Sequence, residues 1–223
     1  MVYDFHTHTL LSDGSLSPME LIRRALARDY KAIALTDHVG IGYLDRIIRE
    51  LANDCALARA HWDILAIPGV ELTHIPPQAI GETAKRAKEL GAWLVVVHGE
   101  SIIEPVEKGT NIAALQCPSV DILAHPGLIT LEEAELAAAE GIFLEITARN
   151  GHSLTNGHIS HLARLAGAKL LLNSDAHDEA DLFTPDLAQK IAQGAGLNEE
   201  EIDEVLANNT HALLKRLSML KQE

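Results

Sequence analysis

The sequence predicts an α/β fold in which seven β/α units wind a parallel sheet into a closed or nearly closed, TIM-like barrel. Three observations predict it. Short apolar runs rich in Val, Ile, Leu and Ala recur between longer segments of helical composition; glycine closes several of those segments; and every run ends in His, Asp or Glu. The runs lie near residues 2–5, 32–36, 65–70, 93–97, 121–124, 142–146 and 169–173. Helix starts are legible between them. Ser17-Pro18-Met19-Glu20 combines a capping box with Pro at the first helical position, Thr130-Leu131-Glu132-Glu133 is a second box, and Asn198-Glu199-Glu200-Glu201 is a third start. Gly91, Gly141 and Gly167 each mark a helix end just before the next run, and residues 199–223 predict two closing helices. An open flavodoxin-like or Rossmann sheet would alternate in the same way but carry a Gly-rich turn after its first strand. Here that turn is His6-Thr7-His8, which favours the barrel.

A chain of 223 residues with 47% hydrophobic content can bury one substantial core, so a single domain over residues 1–223 is expected. The opening Met1-Val2-Tyr3-Asp4 has no basic leader, and no apolar stretch approaches the ~18 residues that span a bilayer. An unexported, cytoplasmic protein without a membrane partner is the expectation. Two cysteines, Cys55 and Cys117, with no C-x-x-C spacing fit a reducing compartment. A formal charge of −14 repels polyanions, and aromatics at 4% offer no stacking platform, so a small molecule is a better partner than nucleic acid. Nothing in the composition sets an oligomeric state.

In parallel β/α barrels function collects at the carboxyl ends of the strands, where the loops converge. Run one ends in His6 and His8, run two in Asp37 and His38, run three in Glu71, and run four in His98. Run five ends in His125, run six in Glu145, and run seven in Asp175 and His177. One such histidine is more often a satisfied core or surface residue than a ligand. Six of the twelve histidines, however, occupy these positions, and burying so many imidazoles and carboxylates together without a cation is costly. Metal binding is the economical explanation. Alternation along an extended chain would aim His6 and His8 at one face, with Asp4 beside them to orient a ligand. Asp13, in Ser12-Asp13-Gly14, lies in the first βα loop, where an oxygen ligand can reach back.

These residues resemble the PHP family, the polymerase and histidinol phosphatase domain. The matching motifs are Asp4-Phe5-His6-Thr7-His8-Thr9, Ser12-Asp13-Gly14, Thr36-Asp37-His38, Gly69-Val70-Glu71, His98, Ala124-His125-Pro126 and Ser174-Asp175-Ala176-His177, in order. The resemblance implies a distorted (β/α)7 barrel carrying two or three divalent ions. One would be held by His6, His8, Glu71 and Asp175, a second by Glu71, His98 and His125, and a third by Asp13, His38 and His177. Some relatives have His where this chain has Asp13. Mixed imidazole and carboxylate ligation suits Zn, Mn or Fe better than Mg or Ca. The implied activity is hydrolysis of a phosphate ester on a small metabolite of the histidinol phosphate, sugar phosphate or nucleotide class, by a hydroxide that bridges two ions.

A phosphate also needs a fixed cation, and Arg149, four residues after Glu145, is the best-placed one. His152, Ser153 and Asn156 follow on the same face as candidate substrate contacts. Asp37 and His152 are the candidates for protonating the leaving oxygen. Glu145 is either a ligand or a support behind one, and His61, His74, His158, His161 and His211 have no comparable placement. Three other functions compete: a metal-stabilised barrel that binds a phosphorylated ligand or a protein without turnover, an amidohydrolase-like hydrolase, and an exonuclease. No Lys ends run four to bridge metals in the amidohydrolase manner, and no basic groove is apparent for a nuclease.

Overall fold

The computed structural model describes residues 1–219. Strand β1 (Val2–Asp4) pairs in parallel with β2 (Tyr30–Leu35). The two-residue β3 (His38–Val39) resumes that track after a break at Thr36-Asp37 and, like β2, pairs with β4 (Leu65–Leu72). The path continues through β5 (Leu94–His98), β6 (Ile122–Ala124), β7 (Phe143–Thr147) and β8 (Leu170–Asn173), with every pairing parallel. The β1–β8 seam is joined just beyond the strand ends, where Thr7 bridges Ala176, Asp175 N–H donates to His6 O (2.9 Å) and His8 N–H to Ala176 O (2.8 Å). The sheet is thus a nearly closed barrel of seven strand positions, all within two residues of the predicted runs.

Helices cover its outer face: α1 (Pro18–Ala27), α2 (Leu44–His61), α3 (Pro77–Glu89), α4 (Thr110–Leu115), α5 (Leu131–Glu140), α6 (Asn156–Ala166) and α7 (Pro185–Gly194). At α1, Ser17 accepts from Glu20 N–H, but Glu20 turns outward to Arg24, so only half of the expected box forms. The box at Thr130 and Glu133 is complete, and left-handed Gly141 and Gly167 end α5 and α6. The tail runs as α8 (Glu199–Asp203), a π-helical turn over Glu204–Asn208 and α9 (Asn209–Met219), and the last residues of the predicted closing segment lie outside the described residues. No helix among the described residues is long and apolar enough to cross a membrane.

Two apolar layers position the site. The outer one seals strands to helices, while the inner one fills the barrel with Phe5, Ala32, Ala34, Ile67, Leu94, Val96, Ile122, Phe143 and Leu171. Two phenylalanines, Phe5 and Phe143, fill this ring together with Ala and branched aliphatic residues, and Leu213 and Leu217 of α9 pack onto the same cluster. The convergent histidines and carboxylates lie above this layer, at the carboxyl ends of the strands.

Candidate metal centre

Regular β1 ends at Asp4, and the alternation that would align Asp4, His6 and His8 breaks there. Phe5 joins the barrel interior, while His6 and His8 both reach the cluster above it. Asp4 does not share their face. Its Oδ1 accepts from the backbone N–H groups of Ser174 (3.1 Å) and His6 (3.4 Å), which ties the seam together. The carboxylate that orients His6 is Glu145, whose Oε1 meets His6 Nδ1 at 2.8 Å. Glu145 is fully buried, also accepts from Asn173 Nδ2 (2.7 Å) and His125 N–H (3.1 Å), and so serves as the support of the two roles anticipated for it.

Glu71, on the inward face of β4, is the hub. Its oxygens lie 3.3 Å from His6 Nε2, 3.6 Å from His8 Nε2, 2.7 Å from His38 Nδ1 and 3.6 Å from His125 Nε2. Asp175 stands opposite, 3.1 Å from His8 Nε2 and 3.7 Å from His125 Nε2. Donor atoms converge in four overlapping groups: His6, His8 and Asp175; His6, Glu71 and His125; His8, Asp13, His38 and His177; and His98, His125 and His152. All nine anticipated ligands belong to these groups. The groupings depart from expectation: His8 reaches the third group, His152 rather than Glu71 joins His98 and His125, and Glu71 groups with His6 and His125 instead of with His8 and Asp175. The ring of His152 stacks on His125 at 4.1 Å.

The electrostatics of the cluster suit bound cations. Burial opposes charge on His6, yet Glu145, Glu71 and Asp175 outweigh it and hold its pKa well above the ordinary value. Burial and the neighbouring His38 and His6 drive His8 well below, and burial with His98 does the same to His125. Burial lifts the Asp175 carboxyl to about 7, whereas His6 and His38 overcome burial at Glu71 and pull it well down. Hydrogen bonds alone leave the cluster unsatisfied: His6 Nε2, both ring nitrogens of His8, both oxygens of Glu71 and His125 Nδ1 are buried and, despite their close ionic neighbours, make no hydrogen bond of acceptable geometry. His125 and Asp175 moreover hold left-handed backbone (φ 27° and 53°), strain of the kind that functional sites retain. Buried, unpartnered nitrogen and oxygen donors in this mixture fit divalent transition ions.

The other candidates are placed as follows. Asp37 is fully buried and accepts from Thr9 N–H (2.8 Å), the Thr9 hydroxyl (2.9 Å) and the Ser12 hydroxyl (2.7 Å), so it pins the first βα loop and has no face toward a substrate. Asn156 turns its amide to the Thr147 backbone, accepting from N–H (3.1 Å) and donating to O (2.8 Å), which clamps α6 to the end of β7 and directs the amide away from a substrate role. Arg149 is partly exposed at the mouth, its Nη1 moored 3.1 Å from Asp181 Oδ2. That oxygen also receives His177 N–H (2.9 Å), so the guanidinium is fixed beside the third donor group. Ser153 lies on the short 3-10 turn His152–Thr155, half-buried. Among the histidines set aside, His158 meets Ile129 O and His211 meets Tyr3, but His74 comes within 6.0 Å of the His98 ring at the rim.

Sequence reasoning missed Glu104, whose carboxylate reaches His98 Nε2 (3.1 Å) and His152 Nε2 (3.4 Å), and Ser101, whose hydroxyl meets His152 Nδ1 at 2.6 Å. Both lie in the loop after β5, in a stretch without periodicity or a motif to flag them.

The support by Glu145 is testable. Each of its oxygens faces N–H donors, so the amide of Glu145→Gln must turn an NH2 group toward one of them. Zn2+ affinity is expected to fall by about 10- to 100-fold in chelator competition, with the fold intact by circular dichroism.

Comparison with known proteins agrees with this geometry. The PHP domain model matches residues 4–151. An uncharacterized protein of Methanocaldococcus jannaschii is 47% identical over 97% of this chain and 100% of its own length. A probable phosphatase of Thermoanaerobacter is 28% identical over 90% of this chain and 89% of its own. Among solved structures, the histidinol phosphate phosphatase of Lactococcus lactis, complexed with zinc, L-histidinol and phosphate, superposes with a TM-score of 0.57 at 15% identity, covering 97% of this chain and 93% of that one. The match of the family model over residues 4–151, more than half of the sequence, establishes that this chain belongs to the PHP domain family.

Proposed function

We propose that this chain, a metal-dependent phosphoesterase, hydrolyses a phosphate ester on a small metabolite, using ions held by His6, His8, Asp13, His38, Glu71, His98, His125, Asp175 and His177. The observation that carries the reading is the convergence of these donors on Glu71, with unpartnered nitrogens and oxygens turned inward. Ions bound there would supply a hydroxide nucleophile near neutral pH and neutralise charge on the phosphoryl oxygens. The protein's own share is orientation. Glu145 fixes the ring of His6, Thr73 meets His38 Nδ1 at 2.6 Å, and the seam bonds hold Asp175 against His8. Arg149 offers a planar donor fork at the mouth, already moored on one edge by Asp181, for a phosphate oxygen. A small substrate fits better than a polymer because the loop after β5 brings a carboxylate to the mouth, and the chain carries a formal net charge of −14.

The reading is tested on protein purified without chelator. Elemental analysis and phosphate release from a panel of mono- and diesters are measured on one sample. Two or three equivalents of Zn, Mn or Fe with chelator-sensitive release are expected. Protein that neither binds nor acts after reconstitution with those ions would overturn it, and bound metal without turnover across the panel would leave a binding protein. Arg149→Ala is expected to raise KM for a monoester by about tenfold, a loss of ~1.4 kcal/mol, with metal content unchanged; identical kinetics would remove Arg149 from substrate binding.

A further inference from the structure

The loop between β5 and α4 is a built strap. Glu100 anchors its two ends: its N–H donates to Asn111 Oδ1 (2.9 Å), and its Oε1 accepts from the N–H groups of Gly109 (2.9 Å) and Asn111 (3.0 Å). Asn111 Nδ2 then donates to Pro126 O (2.9 Å), next to His125. On the far side of the mouth Gly151 has φ +87°, and a Cβ there would meet Ile103 Cδ1 at 2.6 Å, so the strap lies flush against the segment carrying His152. These bonds fix the ends of the strap, and within it Val106 N–H donates to Glu104 O (2.9 Å). Its side chain is 38% exposed yet does not turn to solvent. It points down onto two imidazoles.

The distances are those of a coordination shell. Bonds of about 2.0 to 2.1 Å to a tetrahedral ion place neighbouring ligand atoms about 3.3 Å apart. Glu104 Oε2 is 3.1 Å from His98 Nε2 and Glu104 Oε1 is 3.4 Å from His152 Nε2, while His98, His125 and His152 already converge as a group of donors. When His152 donates Nδ1–H to the Ser101 hydroxyl, its Nε2 presents a lone pair on the Glu104 side, the tautomer a ligand needs.

We propose that Glu104 is a metal ligand, the strap-borne carboxylate of a site completed by His98 and His152 at the outer edge of the cluster. The inference rests on the metal-dependent reading above and adds to it two side chains that the nine-residue set does not contain. The neutral imidazoles of His98 and His152 would by themselves leave a divalent ion its full charge. An anionic ligand on a surface loop lowers that charge and ties the strap to the occupied site.

The test uses the full chain, Zn2+ and Co2+ alone as probes, and Glu104→Gln beside Glu107→Gln. Glu107 lies on the same strap and contributes only its backbone carbonyl to the structure. Both variants should keep the wild-type circular dichroism spectrum. Glu104→Gln is expected to weaken one equivalent of Zn2+ by at least tenfold in chelator competition, leave the remaining equivalents unchanged, and alter the visible Co2+ spectrum. Glu107→Gln should match wild type in all three. Superimposable binding curves and Co2+ spectra for wild type and Glu104→Gln would overturn the proposal, as would equal weakening in Glu107→Gln, which would point to the general field of the loop. Wild-type protein that binds no metal would sink the underlying reading itself and is told apart by that control.

Discussion

Glu71→Gln is expected to lower kcat/KM for phosphate-ester hydrolysis by about 10³-fold or more, a loss of ~4 kcal/mol of transition-state stabilisation. The size follows from position. Glu71 stands within 4 Å of four imidazoles, His6 and His8 just beyond β1, His38 on β3 and His125 just beyond β6, and each of the four donor groups contains at least one of them. Gln keeps the volume and the β4 register but carries no net charge and turns an NH2 toward at least one ring nitrogen. The protein should fold, since Val70 and Leu72 on either side pack into the outer apolar layer and are untouched. The measurement is steady-state kinetics with elemental analysis of the same preparation. Metal content and kcat/KM both within a few-fold of wild type would mean that the centre is not organised on Glu71.

Stripping the ions is expected to give the second largest effect, on stability as well as activity. Glu71 and Glu145 are fully buried, Asp175 is nearly so, and the histidines among them cannot all take protons: His8 and His125 are driven well below the ordinary value while His6 is held well above it. Without a cation the cluster keeps buried charges and orphaned nitrogens that water cannot reach. A single ion present at a thousandfold excess over its Kd adds ~4 kcal/mol to stability. For a domain of this size that corresponds to a rise in Tm of about 10 °C. Differential scanning calorimetry of chelated protein, before and after addition of Zn2+, Mn2+ or Fe2+, reads the shift directly. Equal melting temperatures with and without metal would mean that the donor cluster is satisfied by protons and hydrogen bonds, against the geometry described above.

What the sequence by itself determined is the barrel and its ring of donors. Seven apolar runs were legible because a strand covered on both faces needs a short continuous hydrophobic segment, a local property of composition. Helix starts at Thr130 and Asn198 and helix ends at Gly141 and Gly167 were legible because capping chemistry acts over three or four residues. The donors followed because a parallel barrel gathers its strand ends on one face, so that an order along the chain becomes a place in space.

Tertiary structure alone decided which partner each donor takes. Glu145 reaches His6 across 139 positions of sequence, and no local pattern says that it, rather than Asp4 two residues away, orients that ring. Asp37 and Asn156 read as available polar groups until the folded chain shows their oxygens and amide spent on Thr9, Ser12 and Thr147. Glu104 carries no signal at all, being one acidic residue among many in an aperiodic loop; it meets His152 only because Glu100 and Asn111 close the strap and Gly151 lets Ile103 approach. Hydrogen bonds and ion pairs are short-ranged and directional, so their partners are set by side-chain positions accurate to a fraction of an ångström. Such positions exist only once the whole barrel has closed.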